Sequence, residues 1–107
     1  MITQRSLTIP IFDYRLTVII FDNWEEVKHK FEGYAEPKGI CKIHDGYTLC
    51  AINSNKIECA IHESEHIKNA IWEYIGYTPQ VGNDEVDAYL IAYIYRKIME
   101  VYNKHDK

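Results

Sequence analysis

The sequence predicts an α+β domain: a short antiparallel or mixed sheet that includes a β-hairpin, packed on two long helices that close the chain. Three observations carry this expectation. Leu16–Phe21 (LTVIIF) is a run of β-branched and aromatic residues of the kind that inner strands use. The segment ICKIHDGYTLCAIN holds Asp45-Gly46, a dipeptide that signals a hairpin turn. Neither glycine nor proline interrupts residues 56–75, nor the stretch after Gly82, so each is free to run as one helix. At 107 residues the chain is expected to form a single domain, 1–107, with one modest core.

Each element can be justified in order. After the strand at 16–21, Asn23 followed by Glu26 has the form of a capping box, which predicts a short helix at about 23–32. Phe31–Gly39 (FEGYAEPKG), with two glycines and a proline, reads as a loop. The hairpin is expected over about 40–52, and its register sets Cys41 directly opposite Cys50. Asn53-Ser54-Asn55 offers several caps for a helix over 56–75, with Ile57, Ile61, Ser64, Lys68, Ile71 and Ile75 along one face. GYTPQVG is turn chemistry, and Asn83 is placed to cap a last helix in which Ala88, Ile91, Tyr95, Ile98 and Tyr102 recur at helical spacing. The tail from Asn103 to Lys107 is expected to fray.

Charge and cysteine content narrow the function. Twelve Lys and Arg against 16 Asp and Glu give a net charge of −4, with no basic stripe to neutralise phosphates, so nucleic acid is not an expected partner. The apolar run at Leu16–Phe21 is too short for a spanning helix and lies behind Asp13 and Arg15, so no membrane association is expected and the location is read as cytoplasmic. Three cysteines without a C-x-x-C pair argue against a disulfide framework or a zinc knuckle. Cys41 and Cys50 are read as small half-buried thiols of a sheet, close enough in principle to bridge under oxidation.

The stretch IHESEH contains H-E-x-x-H at His62, Glu63 and His66, in the middle of the first long helix. Residues four apart on a helix project about 40° apart, one turn along the axis, so both imidazoles can be aimed at one ion. Zinc takes imidazole nitrogens at ~2.0–2.1 Å, and a catalytic site uses three protein ligands with a fourth position for water. Glu58 and Cys59 are eight and seven residues from His66, about 12 and 10 Å of helix rise, too far to share an ion with both histidines. The third ligand is therefore expected from the acidic start of the last helix. Glu85 is the first candidate there and Asp84 the next, although acids also favour a first helical turn through the macrodipole alone. Glu63 and Glu65 each project about 80° from the midpoint of the histidines, on opposite flanks, so angle leaves either open as a general base.

The run DGYTLCAINSNKIECAIHESEH, with E-V-D-A at Glu85–Ala88, resembles the gluzincin metallopeptidases, in particular compact ImmA/IrrE-type domains associated with phages and mobile elements. The likeness spans roughly residues 40–95. It implies a zincin-like fold, a Zn2+ cofactor held by His62, His66 and Glu85, and Glu63 as the base that activates water. It also implies a protein or peptide substrate, by analogy a regulatory protein such as a repressor, held along an edge strand beside the active helix. The alternative is a non-catalytic interaction module with a structural or vestigial zinc site. Glu65 and Lys68 depart from the family pattern by being charged. Tyr89 stands where relatives place Asp or Asn, which leaves Asp84 or Asp87 to support a histidine. His44 and Tyr47, flanking the hairpin turn, are read as a solvated histidine and a packed tyrosine rather than as oxyanion donors.

Overall fold

A computed structural model describes residues 1–80, 82 and 85–105. It is an α+β arrangement of a four-stranded mixed sheet and two long helices. The strands are β1 (Ile2–Ile9), β2 (Tyr14–Phe21), β3 (Gly39–His44) and β4 (Tyr47–Asn53), in the order β1-β2-β4-β3. β1 runs antiparallel to β2, β2 parallel to β4, and β3 antiparallel to β4 through the Asp45-Gly46 turn. The helices are α1 (Cys59–Ile75) and α2 (Glu85–Asn103). Among the described residues no helix is long and apolar enough to cross a membrane.

β2 explains why LTVIIF carries no polar alternation. Tyr14, Leu16, Val18 and Ile20 face the helices and join Ile67, Ile71, Ile94 and Ile98 in one core. Ile19 and Phe21 point to the opposite face, where Trp24, Val27 and Phe31 cover them. A strand buried on both faces reads as a continuous apolar run.

Several expectations change. Two single turns of 3-10 helix, Trp24–Glu26 and Lys28–Lys30, replace the helix expected at 23–32. Asn23 does cap, accepting from the Glu25 N–H at 3.1 Å, but Glu26 accepts from the Met1 ammonium at 2.7 Å instead of closing a capping box. β1 has no counterpart in the sequence reading. It is an edge strand in which only Leu7 and Ile9 contribute to the core, so its apolar alternation is too weak to recognise. α1 begins at Cys59, after a 3-10 turn capped by Asn53, and ends where expected at Gly76. There φ is +78°, and the Tyr77 N–H reaches the Trp72 carbonyl at 2.9 Å, a Schellman closure that glycine adopts without strain.

The buried faces also rotate from those read in the sequence. On α1, Ala60, Ser64, Ile67 and Ile71 are buried, whereas Ile61 is 63% exposed and Ile75 is exposed. On α2 the stripe is Leu90, Ile94, Ile98 and Val101, and Ala88 is exposed. The proposed cap Asn83 lies outside the described residues.

The described part of the tail, as far as His105, is pinned rather than frayed; Asp106 and Lys107 lie outside the described residues. That buried imidazole hydrogen-bonds Thr3 Oγ1 through Nδ1 and Asp22 through Nε2, each at 2.8 Å, joining the end of the chain to β1 and to the end of β2. Ser54 donates to the same Asp22 oxygen at 2.6 Å. The Ser54 hydroxyl first and His105 second hold the Asp22 carboxyl below its ordinary value.

Two predictions follow from this clasp. His105→Ala is expected to lower stability by about 1 kcal/mol in urea unfolding, whereas a frayed tail would leave the midpoint unmoved. Because the folded Asp22 pKa is the lower one, its contribution is complete above the unfolded carboxylate value and is lost as pH falls through the depressed folded value. Asp22→Asn is therefore expected to flatten the acid limb of the Tm profile, by less than ~1 kcal/mol since the group is exposed.

Candidate functional site

The rotation of α1 about its axis sets the site. With Ala60, Ser64, Ile67 and Ile71 against the sheet, the 100° step of the helix sends Glu63, His66 and His62 progressively up one flank, towards β3 and solvent. Lys68, Trp72 and Glu65 rise on the other flank, towards α2. Glu63 and Glu65, equivalent by angle in the sequence, thereby meet different neighbours. Glu63 is 4% exposed and lies on the β3 side, while Glu65 is exposed and pairs with Lys68 at 2.8 Å.

A groove of about 250 Å³ runs between α1 and β3, lined by Gly39, Ile40, Cys41 and Ile43 from the strand and His62, Glu63 and His66 from the helix. The two exposed imidazoles meet edge to face, at 83°, with their Nε2 atoms 3.0 Å apart. One ion can lie ~2.0–2.1 Å from both nitrogens at that separation, so the pair fits a shared metal. Glu63 packs against the backbone of Gly39. A Cβ at position 39 would sit 3.3 Å from both Cγ and Oε2 of Glu63 and 3.4 Å from Cβ of Cys59, so a larger residue there would press on the carboxylate and require it to shift by a few tenths of an ångström. Sequence reasoning missed Gly39, because the contact joins residues 24 apart and leaves no local pattern.

Glu85 stands apart from the histidine pair. It is exposed in the first turn of α2, and among the described residues no group of three His, Cys, Asp or Glu side chains is placed to hold a metal ion. Helical period gives the reason. Asp87 lies on the side of α2 that meets α1, and a residue two positions earlier projects about 200° round from it. Asp84 lies outside the described residues.

Asp87 meets Lys68 and Trp72 rather than either histidine, accepting from Trp72 Nε1 at 2.6 Å and from Lys68 Nζ at 3.3 Å. The lysine that departs from the family pattern is thus a buried cation held between Glu65 and Asp87. Burial works against its charge, but the hydrogen bonds to Glu65 and Asp87 prevail and raise its pKa above the ordinary value. Glu58 precedes α1 without a side-chain capping bond. His44 and Tyr47 stack on each other at 4.4 Å beside the turn.

Lys68→Met strips two carboxylates of their cation, one of them largely buried, and is expected to cost about 3 kcal/mol in chemical denaturation. Asp87→Asn is expected to cost less, since the amide oxygen still accepts from Trp72. No loss in either variant would show that the ion pair adds nothing to stability. Comparison with family models, with curated proteins and with solved structures finds no match to this chain.

Proposed function

We propose that the chain is a zinc-dependent peptidase that hydrolyses a peptide bond in a protein or peptide laid along β3. The observation that carries this reading is the grouping of His62, Glu63 and His66 in one groove with an edge strand. His62 and His66 would hold the ion, with Glu85 as the remaining protein donor that the resemblance at the downstream E-x-x-A implies. A zinc ion there supplies Lewis-acid polarisation of the scissile carbonyl and acidification of a water.

The chain's own residues do the rest. Among the described residues β3 pairs with β4 alone in the sheet, so its outer edge offers backbone donors and acceptors to an extended segment, which gains ladder hydrogen bonds without folding itself. Glu63 takes a proton from the attacking water and returns it to the departing amine. Its place beside Gly39 puts that carboxylate between the histidines and the strand where the substrate backbone would run. A regulatory protein as substrate rests on the resemblance alone.

One observation favours a second reading, an interaction module without catalysis. The His62–His66 contact is also an acceptable N–H···N hydrogen bond, so the pair has a partner without any metal.

Elemental analysis after supply of zinc at neutral pH separates the readings. One zinc per chain is expected, retained in Glu63→Gln and lost in His66→Ala and Glu85→Ala. Glu63→Gln is expected to lower hydrolysis of a peptide library by about 10²–10⁴-fold. Failure of the native chain to retain zinc, or undiminished hydrolysis by Glu63→Gln, would remove the peptidase reading. Zinc retained by Glu85→Ala would remove Glu85 alone. Gly39→Ala, which crowds Glu63 without touching either histidine, is expected to keep zinc and lose hydrolysis; wild-type turnover would show that the carboxylate has room to move.

A further inference from the structure

The hairpin carries a pair of thiols that the proposed hydrolysis does not use. Cys41 on β3 and Cys50 on β4 are register partners, and both are free. Their position in the ladder follows from the turn. His44 and Tyr47 close the two-residue loop and form a hydrogen-bonded pair, and the alternation then makes Ile43–Thr48 non-hydrogen-bonded, Lys42–Leu49 hydrogen-bonded and Cys41–Cys50 non-hydrogen-bonded. At non-hydrogen-bonded positions facing Cα atoms lie about 4.5 Å apart and the side chains lean together, within the range that a disulfide spans. The two residues face each other across one ladder rung, on the face of the sheet that the helices cover.

Their access to solvent differs. Cys50 is 0% exposed in the core between sheet and helices. Cys41 is half-buried, lines the groove beside His62, Glu63 and His66, and donates to the Glu63 carbonyl at 3.8 Å. A reagent can therefore reach the pair from one side only, through the groove.

We propose that Cys41 and Cys50 form a dithiol site that is oxidised by small-molecule disulfides, with Cys41 as the attacking thiol and Cys50 as the resolving one. The Cys41 thiol loses its proton and its sulfur bonds one sulfur of the reagent, releasing the other half as a thiol. The Cys50 sulfur then displaces the remaining half from Cys41, and that half leaves as a second thiol. Two protein thiols are oxidised to one disulfide while one reagent disulfide is reduced to two thiols. In forming the bond, Cys41 gives up its contact with the Glu63 carbonyl, so oxidation is felt at the α1–β3 groove. The neighbouring Cys50 thiol first and burial second push the Cys41 thiol above its ordinary pKa, which makes the exchange slow at neutral pH and faster in alkali.

The test uses oxidised glutathione on the full-length chain carrying Cys59→Ser, with a chelator present and folding checked by a cooperative thermal transition. Intact mass is expected to fall by two hydrogens with no glutathione retained, peptide mapping to join Cys41 to Cys50, and dithiothreitol to reverse both. Adding Cys50→Ser is expected to stop the reaction at one glutathione on residue 41, and adding Cys41→Ser to leave Cys50 unmodified. The proposal is overturned if both thiols stay reduced in the folded chain, although the denatured chain reacts. A persistent adduct on Cys41 in the presence of Cys50, or reaction of Cys50 without Cys41, overturns it equally.

Discussion

The rotational setting of α1 is the constraint on which the rest of the site depends. A helix buried along Ala60, Ser64, Ile67 and Ile71 has only two flanks left, and the 3.6-residue period assigns every other side chain to one of them. One flank receives the histidines and Glu63 and faces an edge strand. The other receives Lys68 and Trp72 and is clamped by α2. Ser64 can occupy the sheet-facing stripe because its hydroxyl donates to the Ala60 carbonyl at 2.7 Å, which leaves no unsatisfied polar group against the core. Rotating α1 by one residue would bury a histidine and expose an isoleucine, a loss of order 2 kcal/mol from the isoleucine alone.

The two flanks differ in their chemistry. Towards α2, a buried Lys68 is paired with the exposed Glu65 and the largely buried Asp87, which also accepts the Trp72 indole N–H. Such a cluster tolerates little change, since removing either sign strands the other in a poorly solvated place. Towards β3, the imidazoles are exposed and meet each other, and the one buried carboxylate lies against a glycine. That flank keeps its polar atoms accessible to an ion or to a peptide backbone. The same strand supplies Cys41, so hydrolytic and thiol chemistry would share one groove.

The fold supports this division from outside the site. β2 is buried on both faces and hydrogen-bonded along both edges, so the parallel β2–β4 pair forms a rigid floor beneath α1. β3 hangs from that floor by one antiparallel ladder and, among the described residues, is the last strand on that side of the sheet. This edge strand is one wall of the groove.

Local chemistry in the sequence determined the β2 run, the Asp45-Gly46 hairpin with Cys41 opposite Cys50, the Gly76 stop and the helical spacing of His62 and His66. Each depends on contacts within a few residues or on one dominant period, so each is visible without a partner. Tertiary structure alone decided which faces of α1 and α2 are buried, because apolar residues such as Ile61 lie off the stripe that the sheet selects. It also brought Gly39 under Glu63 and gave Lys68 to Asp87. The same packing, with the Leu90–Ile94–Ile98 stripe buried and Asp87 docked on α1, leaves Glu85 exposed in the first turn of α2.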